Sequence, residues 1–117
     1  MKTILLAKSS SGNPYDVTFE VRGGHLTVEC SCKAGVLQQQ CKHKRALVLG
    51  ENDMLFDQGQ TDSLEQVRSS QEGQELVKQL QAEEAALAIV EKEKSRLAAE
   101  EKAIKGRMVK LFMRGSL

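Results

Sequence analysis

The residues whose types and spacing could do chemistry are three cysteines and a histidine. Cys30-Ser31-Cys32 is a C-x-C clip, eight residues intervene, and Cys41-Lys42-His43 is a C-x-H clip. Together they use every cysteine in the chain and one of its two histidines. Three thiolates and an imidazole form a complete set of soft and borderline ligands for one tetrahedral Zn²⁺. Structural zinc takes such sets from two short clips joined by a loop, whereas a catalytic zinc keeps one position open for water. With four protein donors on offer, the expectation is one structural ion and a binding module rather than an enzyme. An odd number of cysteines also argues against a closed disulfide framework.

Such a site needs elements that bring the two clips together. Residues 15–22 alternate, with Tyr15, Val17, Phe19 and Val21 opposed by Asp16, Thr18, Glu20 and Arg22. Residues 25–30 alternate as well, and Gly23-Gly24 between them suits a two-residue hairpin turn with positive φ. A loop of that length fixes the register. It sets Arg22 against His25, Val21 against Leu26, Phe19 against Val28 and Val17 against Cys30, so every apolar residue falls on one face. Extending the second strand by two residues puts Cys32 on the same face as Cys30. Ile4–Ala7 offers a third strand, set apart by the turn-rich run from Ser9 to Pro14. Cys41 to Leu49 reads as a short helix stopped by Gly50, which places the second clip where unpaired backbone N–H groups favour an anionic sulfur. The Lys33–Gln40 loop must close the site, with Gly35 available for an unusual φ.

The segment from Tyr15 to Leu49 resembles a SWIM-type zinc finger. The resemblance rests on the hairpin entering Cys30-Ser31-Cys32 and on Cys41-Lys42-His43-Lys44-Arg45-Ala46-Leu47-Val48 opening a short apolar helix. It covers about a third of the chain. It implies zinc ligation by Cys30, Cys32, Cys41 and His43, and it implies either DNA binding or protein–protein contact, since the family does both. His25, beside the hairpin turn on the polar face, reads as solvated.

Charge adds a second clue. Residues 1–50 carry seven Lys and Arg against three Asp and Glu, a net +4, whereas residues 51–117 carry ten against thirteen, a net −3. From Lys33 to Arg45 there is no acidic residue among Lys33, Lys42, Lys44 and Arg45; with Arg22 they form a candidate nucleic-acid-binding patch. The same cations would also offset the negative charge of three thiolates around a divalent ion. No aromatic side chains are interleaved with them, which counts against single-strand recognition by stacking.

Past residue 50 the character changes. Residues 51–61 read as a polar linker, with Met54-Leu55-Phe56 as a short apolar plug. Asp62 with Glu65, and Ser69 with Glu72, look like helix starts. From Gln71 to Phe112 there is no proline, and Ala, Leu, Glu, Lys and Gln predominate. One heptad register places Leu76, Leu80, Glu83, Leu87, Val90, Lys94, Leu97, Glu101, Ile104, Met108 and Leu111 at the two seam positions, and eight of these eleven are apolar. A seam with no second helix to fold against points to a coiled coil with another chain and to a homo-oligomer, and the three charged seam residues keep folding back on the zinc domain as the alternative.

The expectation is thus an α+β chain. Residues 1–50 form a SWIM-like zinc domain, a zinc-stapled β-hairpin plus short helix, and residues 62–117 form a long helical oligomerisation region. The apolar run before Lys8 is too short for a signal peptide and no stretch is long enough to span a bilayer, so the chain reads as intracellular and cytoplasmic, without membrane contact. The expected function is non-enzymatic zinc-dependent binding of DNA or another nucleic acid; the alternative is a protein-interaction adaptor. No nucleophile–base pair, phosphate loop or paired carboxylates stand in a setting that suggests catalysis.

Overall fold

The computed structural model describes residues 2–113. Its elements run β1 (Lys2–Ala7), β2 (Tyr15–Arg22), β3 (His25–Cys30), α1 (Lys33–Val36), α2 (Lys42–Val48), α3 (Thr61–Ser69) and α4 (Gln71–Met113), with single 3₁₀ turns at Asn52–Met54 and Gln58–Gln60. The architecture is α+β: a three-stranded antiparallel sheet in the order β1-β2-β3, three short helices and one long helix. Contacts divide the chain into two units, Met1–Gln81 and Ala82–Leu117.

The hairpin forms in the expected register. Arg22 pairs with His25, Val21 with Leu26, Phe19 with Val28 and Val17 with Cys30. Gly23 and Gly24 turn at φ 56° and 81°, values that cost a residue with a Cβ but not glycine. β1 joins the other side of β2, with Leu5 opposite Val17 and Ala7 opposite Tyr15. One sheet face then presents Leu5, Ala7, Val17, Phe19, Leu26 and Cys30, all buried, while His25 is exposed as expected.

Helices cover that face. Ala46, Leu47 and Val48 of α2 and Leu64 and Val67 of α3 are buried with it, and Leu76, Val77 and Leu80 at the start of α4 pack against the same core. The stretch 51–61, expected as a linker, is instead part of this body. Leu55 is fully buried and bridges to Ala7. Lys8 N–H donates to the Met54 carbonyl at 2.8 Å, Phe56 N–H to the Leu6 carbonyl at 2.9 Å, and Leu6 N–H to Gln60 Oε1 at 2.9 Å. The segment therefore satisfies backbone groups along the outer edge of β1, which would otherwise stay open for pairing with another chain. Of the expected apolar plug only Leu55 is fully buried; Met54 is half-buried and Phe56 exposed.

Two helix starts are displaced from where the capping pattern puts them, α3 by two residues and α4 by one. α3 begins at Thr61 rather than after Asp62, and Asp57 uses its carboxylate on the preceding 3₁₀ turn, accepting from Gly59 N–H. At α4 it is Ser70, not Ser69, that accepts from Gly73 N–H at 3.0 Å, while the Ser69 hydroxyl donates back to Gln66. Arg68 ties α3 to α2: its Nε donates to the Val48 carbonyl at 2.9 Å, satisfying a carbonyl at the end of α2.

The unit Ala82–Leu117 contains the rest of α4. Residues 85–113 are exposed throughout, including the seam residues Leu87, Val90, Leu97, Ile104, Met108 and Leu111. Among the described residues no helix is long and apolar enough to cross a membrane.

Candidate metal centre

Each donor reaches the site from a different backbone context. Cys30 is the last residue of β3, where the Val17–Cys30 pair holds it against the sheet core. Strand geometry ends there. Ser31 leaves the sheet in a reciprocal clasp with the start of β2, donating its N–H to the Asp16 carbonyl at 2.9 Å and accepting from Asp16 N–H at its hydroxyl, also at 2.9 Å. Cys32 is therefore not a continuation of β3, as its parity predicted, but the residue that caps α1, with φ −67° and ψ 164°. It still faces the same interior, because the clasp turns the chain by one residue without releasing it.

The capping role has a chemical consequence. Cys32 Sγ accepts from Gly35 N–H at 3.3 Å, so one thiol is already oriented by the backbone. Gly35 was expected to supply an unusual φ in the 33–40 loop. It lies inside α1, and the positive φ belongs to Gln38 at 56°. Gly35 matters instead by its lack of a side chain: a Cβ there would stand 2.3 Å from the Cys30 carbonyl oxygen and 2.9 Å from the Cys30 Cβ. α1 can lie this close to the end of β3 only because residue 35 is glycine.

The second clip opens α2 as expected. Cys41 is its N-cap residue and His43 its second helical residue. The two clips meet. Cys32 Sγ and Cys41 Sγ are 3.3 Å apart, Cys41 Sγ is 3.5 Å from His43 Nδ1, and Cys30 Sγ is 3.8 Å from the same nitrogen. All four donor atoms lie within 4.8 Å of one another, and all four residues are buried. With metal–sulfur bonds of about 2.3 Å and metal–nitrogen bonds of about 2.0 Å, a tetrahedron has S···S edges of about 3.8 Å and S···N edges of about 3.5 Å, close to the separations of these donors. None of the three cysteines forms a disulfide. Cys30, Cys32, Cys41 and His43 are thus positioned to hold a metal ion.

Electrostatics make the same case. Burial, above all, pushes the Cys30 thiol up to about 12, with the neighbouring thiols of Cys32 and Cys41 adding to the rise. Cys32 is also pushed up by burial, but the Gly35 N–H and the adjoining thiols outweigh that and leave it below the usual thiol range. Burial, with the Lys42 cation second, lowers the His43 pKa and keeps the imidazole neutral, the form that ligates. His43 Nε2 is buried without a hydrogen-bond partner, and the Tyr15 ring lies over the imidazole at a centroid distance of 5.1 Å and a tilt of 56°. The ring lies beside the Lys8 backbone, which pulls its pKa up against the larger effect of burial, and Nδ1 is directed at the sulfurs. Packing three thiols together in an apolar interior disfavours thiolates unless a cation is present, and a bound cation reverses that preference.

The basic residues divide between two surface grooves and have acidic neighbours. Arg22 pairs with Glu20 and comes within 3.9 Å of Glu29. Arg22 and Lys44 line one surface groove, which Asp16 and Glu29 also line. Lys42 lines another with Lys8, Glu51 and Asp53. Lys33 is exposed at the start of α1. Arg45 is half-buried. Lys8 lies far from the clips in sequence, and its N–H donates to the Met54 carbonyl where it lines a groove with Lys42.

Compared with protein-family models, with curated proteins and with solved structures, the chain gives no match.

Proposed function

We propose that the chain is a non-enzymatic, zinc-stapled binding module of the SWIM type, whose surface around the metal centre contacts the phosphates of a nucleic acid. The observation that carries this reading is the buried cluster of four convergent donors, Cys30, Cys32, Cys41 and His43. Thiolate-rich sets favour zinc over hard cations such as Mg²⁺ or Ca²⁺. Bound zinc would offset most of the thiolate charge and cross-link β3, α1 and α2, which makes the ion a structural staple. Four protein donors in a buried site leave no open position for a substrate, which is why the function is assigned to the surface.

On that surface Lys33, Lys42 and Lys44 are the candidate phosphate contacts. Among the described residues none of the three makes an ion pair, in contrast to Arg22 with its two carboxylates. Three such contacts to duplex DNA give a slope of log affinity against log salt of about −3. A salt titration of zinc-loaded protein with a short duplex measures that slope. Absent binding, or binding indifferent to salt, refutes the nucleic-acid reading without touching the zinc assignment, which zinc stoichiometry measures by itself.

A second reading, a protein-interaction adaptor, is favoured by the apolar residues exposed along α4 between Leu87 and Met113. Changing Lys33, Lys42 and Lys44 to Glu discriminates the two. Loss of DNA binding with protein capture retained supports the phosphate surface, and capture of protein with no DNA binding in the unchanged chain supports the adaptor.

A further inference from the structure

The second half of α4 exposes more apolar surface than a lone helix in water keeps uncovered. Leu87, Val90, Leu97, Ile104, Met108 and Leu111 are 42–57 % exposed and recur at alternating steps of three and four, interrupted only by Lys94 and Glu101. That spacing is a coiled-coil seam about three and a half heptads long. The same register begins at Leu76 and Leu80, but those two pack against the sheet core. The uncovered seam therefore starts at Leu87.

The two charged seam residues decide which way a partner helix must run. Lys94 and Glu101 both occupy the position that faces its own counterpart in a parallel pair. There Lys94 would meet Lys94 and Glu101 would meet Glu101, each a like-charge contact in the seam. Reversing one helix changes this. When Leu87 lies against Leu111 of a second copy, Val90 lies against Met108, and Lys94 and Glu101 lie against Ile104 and Leu97, so no layer sets like charges against each other. Lys94 then stands one layer from Glu101 of the second copy, about 4.5 Å along the axis, and the contact occurs twice by symmetry.

The flanking positions agree. In that register Glu93 faces Arg107 and Glu91 faces Lys105 of the second copy, each pair occurring twice. Only Glu100, near the symmetry axis, meets its own charge. Sliding the reversed helix by one heptad toward the N-terminus sets Glu93 against Glu100 twice and draws Glu83 into the seam. Sliding it the other way shortens the seam and separates Lys94 from Glu101. Within one chain Glu101 already holds Lys105 at 2.7 Å and Arg96 holds Glu93 at 2.8 Å. The pairing would thus extend existing charge clusters rather than create isolated ones.

We propose that residues 87–111 of α4 pair with the same segment of a second copy of this chain as an antiparallel two-stranded coiled coil, with Leu87 against Leu111 and Lys94 beside Glu101 across the interface. This inference stands on the helix alone and does not depend on what the zinc-bound body contacts.

Sedimentation equilibrium of the full zinc-loaded chain is the first measurement, and a monomer–dimer equilibrium is expected. Orientation is read by oxidising an equimolar mixture of the Val90→Cys and Met108→Cys proteins. The antiparallel pair gives the mixed cross-link, whereas a parallel pair gives Val90→Cys and Met108→Cys self-links. Charge is read by Lys94→Glu, which should weaken dimerisation about tenfold, with Glu101→Lys added in the same chain restoring it. A chain that stays monomeric across the concentration range overturns the proposal, as do predominant self-links or a double variant no tighter than the single one. Circular dichroism of each variant confirms that the helix itself is retained.

Discussion

Replacing Gly35 by alanine tests how the metal centre is built, because the change adds one methyl group and removes no donor. The added Cβ would stand 2.3 Å from the Cys30 carbonyl oxygen and 2.9 Å from both the Cys30 carbonyl carbon and Cβ. Ordinary contact begins about 1 Å further out, so either the end of β3 or α1 must move by roughly that distance. Both alternatives displace a donor: Cys30 ends β3, and Cys32 caps α1 and accepts from the Gly35 N–H. Metal–donor distances tolerate only about 0.2 Å. An overpacked site typically costs about 1–3 kcal/mol, and because metal binding is coupled to folding this corresponds to about a 5- to 150-fold loss of zinc affinity. Competition against a chromophoric chelator measures it. Gly106→Ala is the matched control, since nothing lies within 4 Å of a Cβ there and alanine favours helix by about 1 kcal/mol. Zinc affinity of Gly35→Ala equal to that of Gly106→Ala would refute the claim that glycine at this position sets the spacing of Cys30 and Cys32.

Chelation of zinc should unfold residues 15–49 cooperatively while most of the α4 helix signal persists. Amide exchange resolved along the chain checks this, and protection of β2 and β3 that survives metal removal would contradict it. Leu47→Ala should destabilise the zinc-loaded protein by about 2–5 kcal/mol, because Leu47 is fully buried between the sheet and the helices. The reading is the shift in urea midpoint at unchanged slope.

Much of the body was legible because its signals are local and agree with one another. The alternation of residues 15–22 and 25–30 and the Gly23-Gly24 turn fix the register without reference to any other part of the chain, and the register places Cys30 inside. The ligand set was legible for a similar reason, since the clips at 30–32 and 41–43 carry their chemistry in their residue types. What could not be read is how the backbone closes between them. Strand parity put Cys32 inward by continuing β3, but the Ser31–Asp16 clasp ends the strand and a helix cap delivers the thiol to the same place. The 33–40 loop suggests Gly35 as a source of unusual φ, yet its requirement is steric and involves a residue of another element. Met54-Leu55-Phe56 reads as an apolar plug within a linker, but three residues carry no period that says which of them is buried or against what. The burial of Leu55 depends on the free edge of β1.

The heptad pattern in α4 marks a different limit. Periodicity reports that a helix has an apolar stripe, but it is blind to what covers the stripe. Leu76 and Leu80 belong to the same register as Leu87 and Val90, yet the first pair is packed on the sheet core and the second is exposed. The stripe is therefore covered in one part and exposed in the other, and the change falls around Glu83, a charged residue at a seam position. Neither a core nor a coiled coil favours a carboxylate there, and it stands between the part of the stripe that packs on the sheet core and the part that is exposed. Lys94 and Glu101 then act within the second part as they could not in the first. Inside the body they would be buried charges in need of compensation, whereas in a pair of helices they choose one direction of packing over the other.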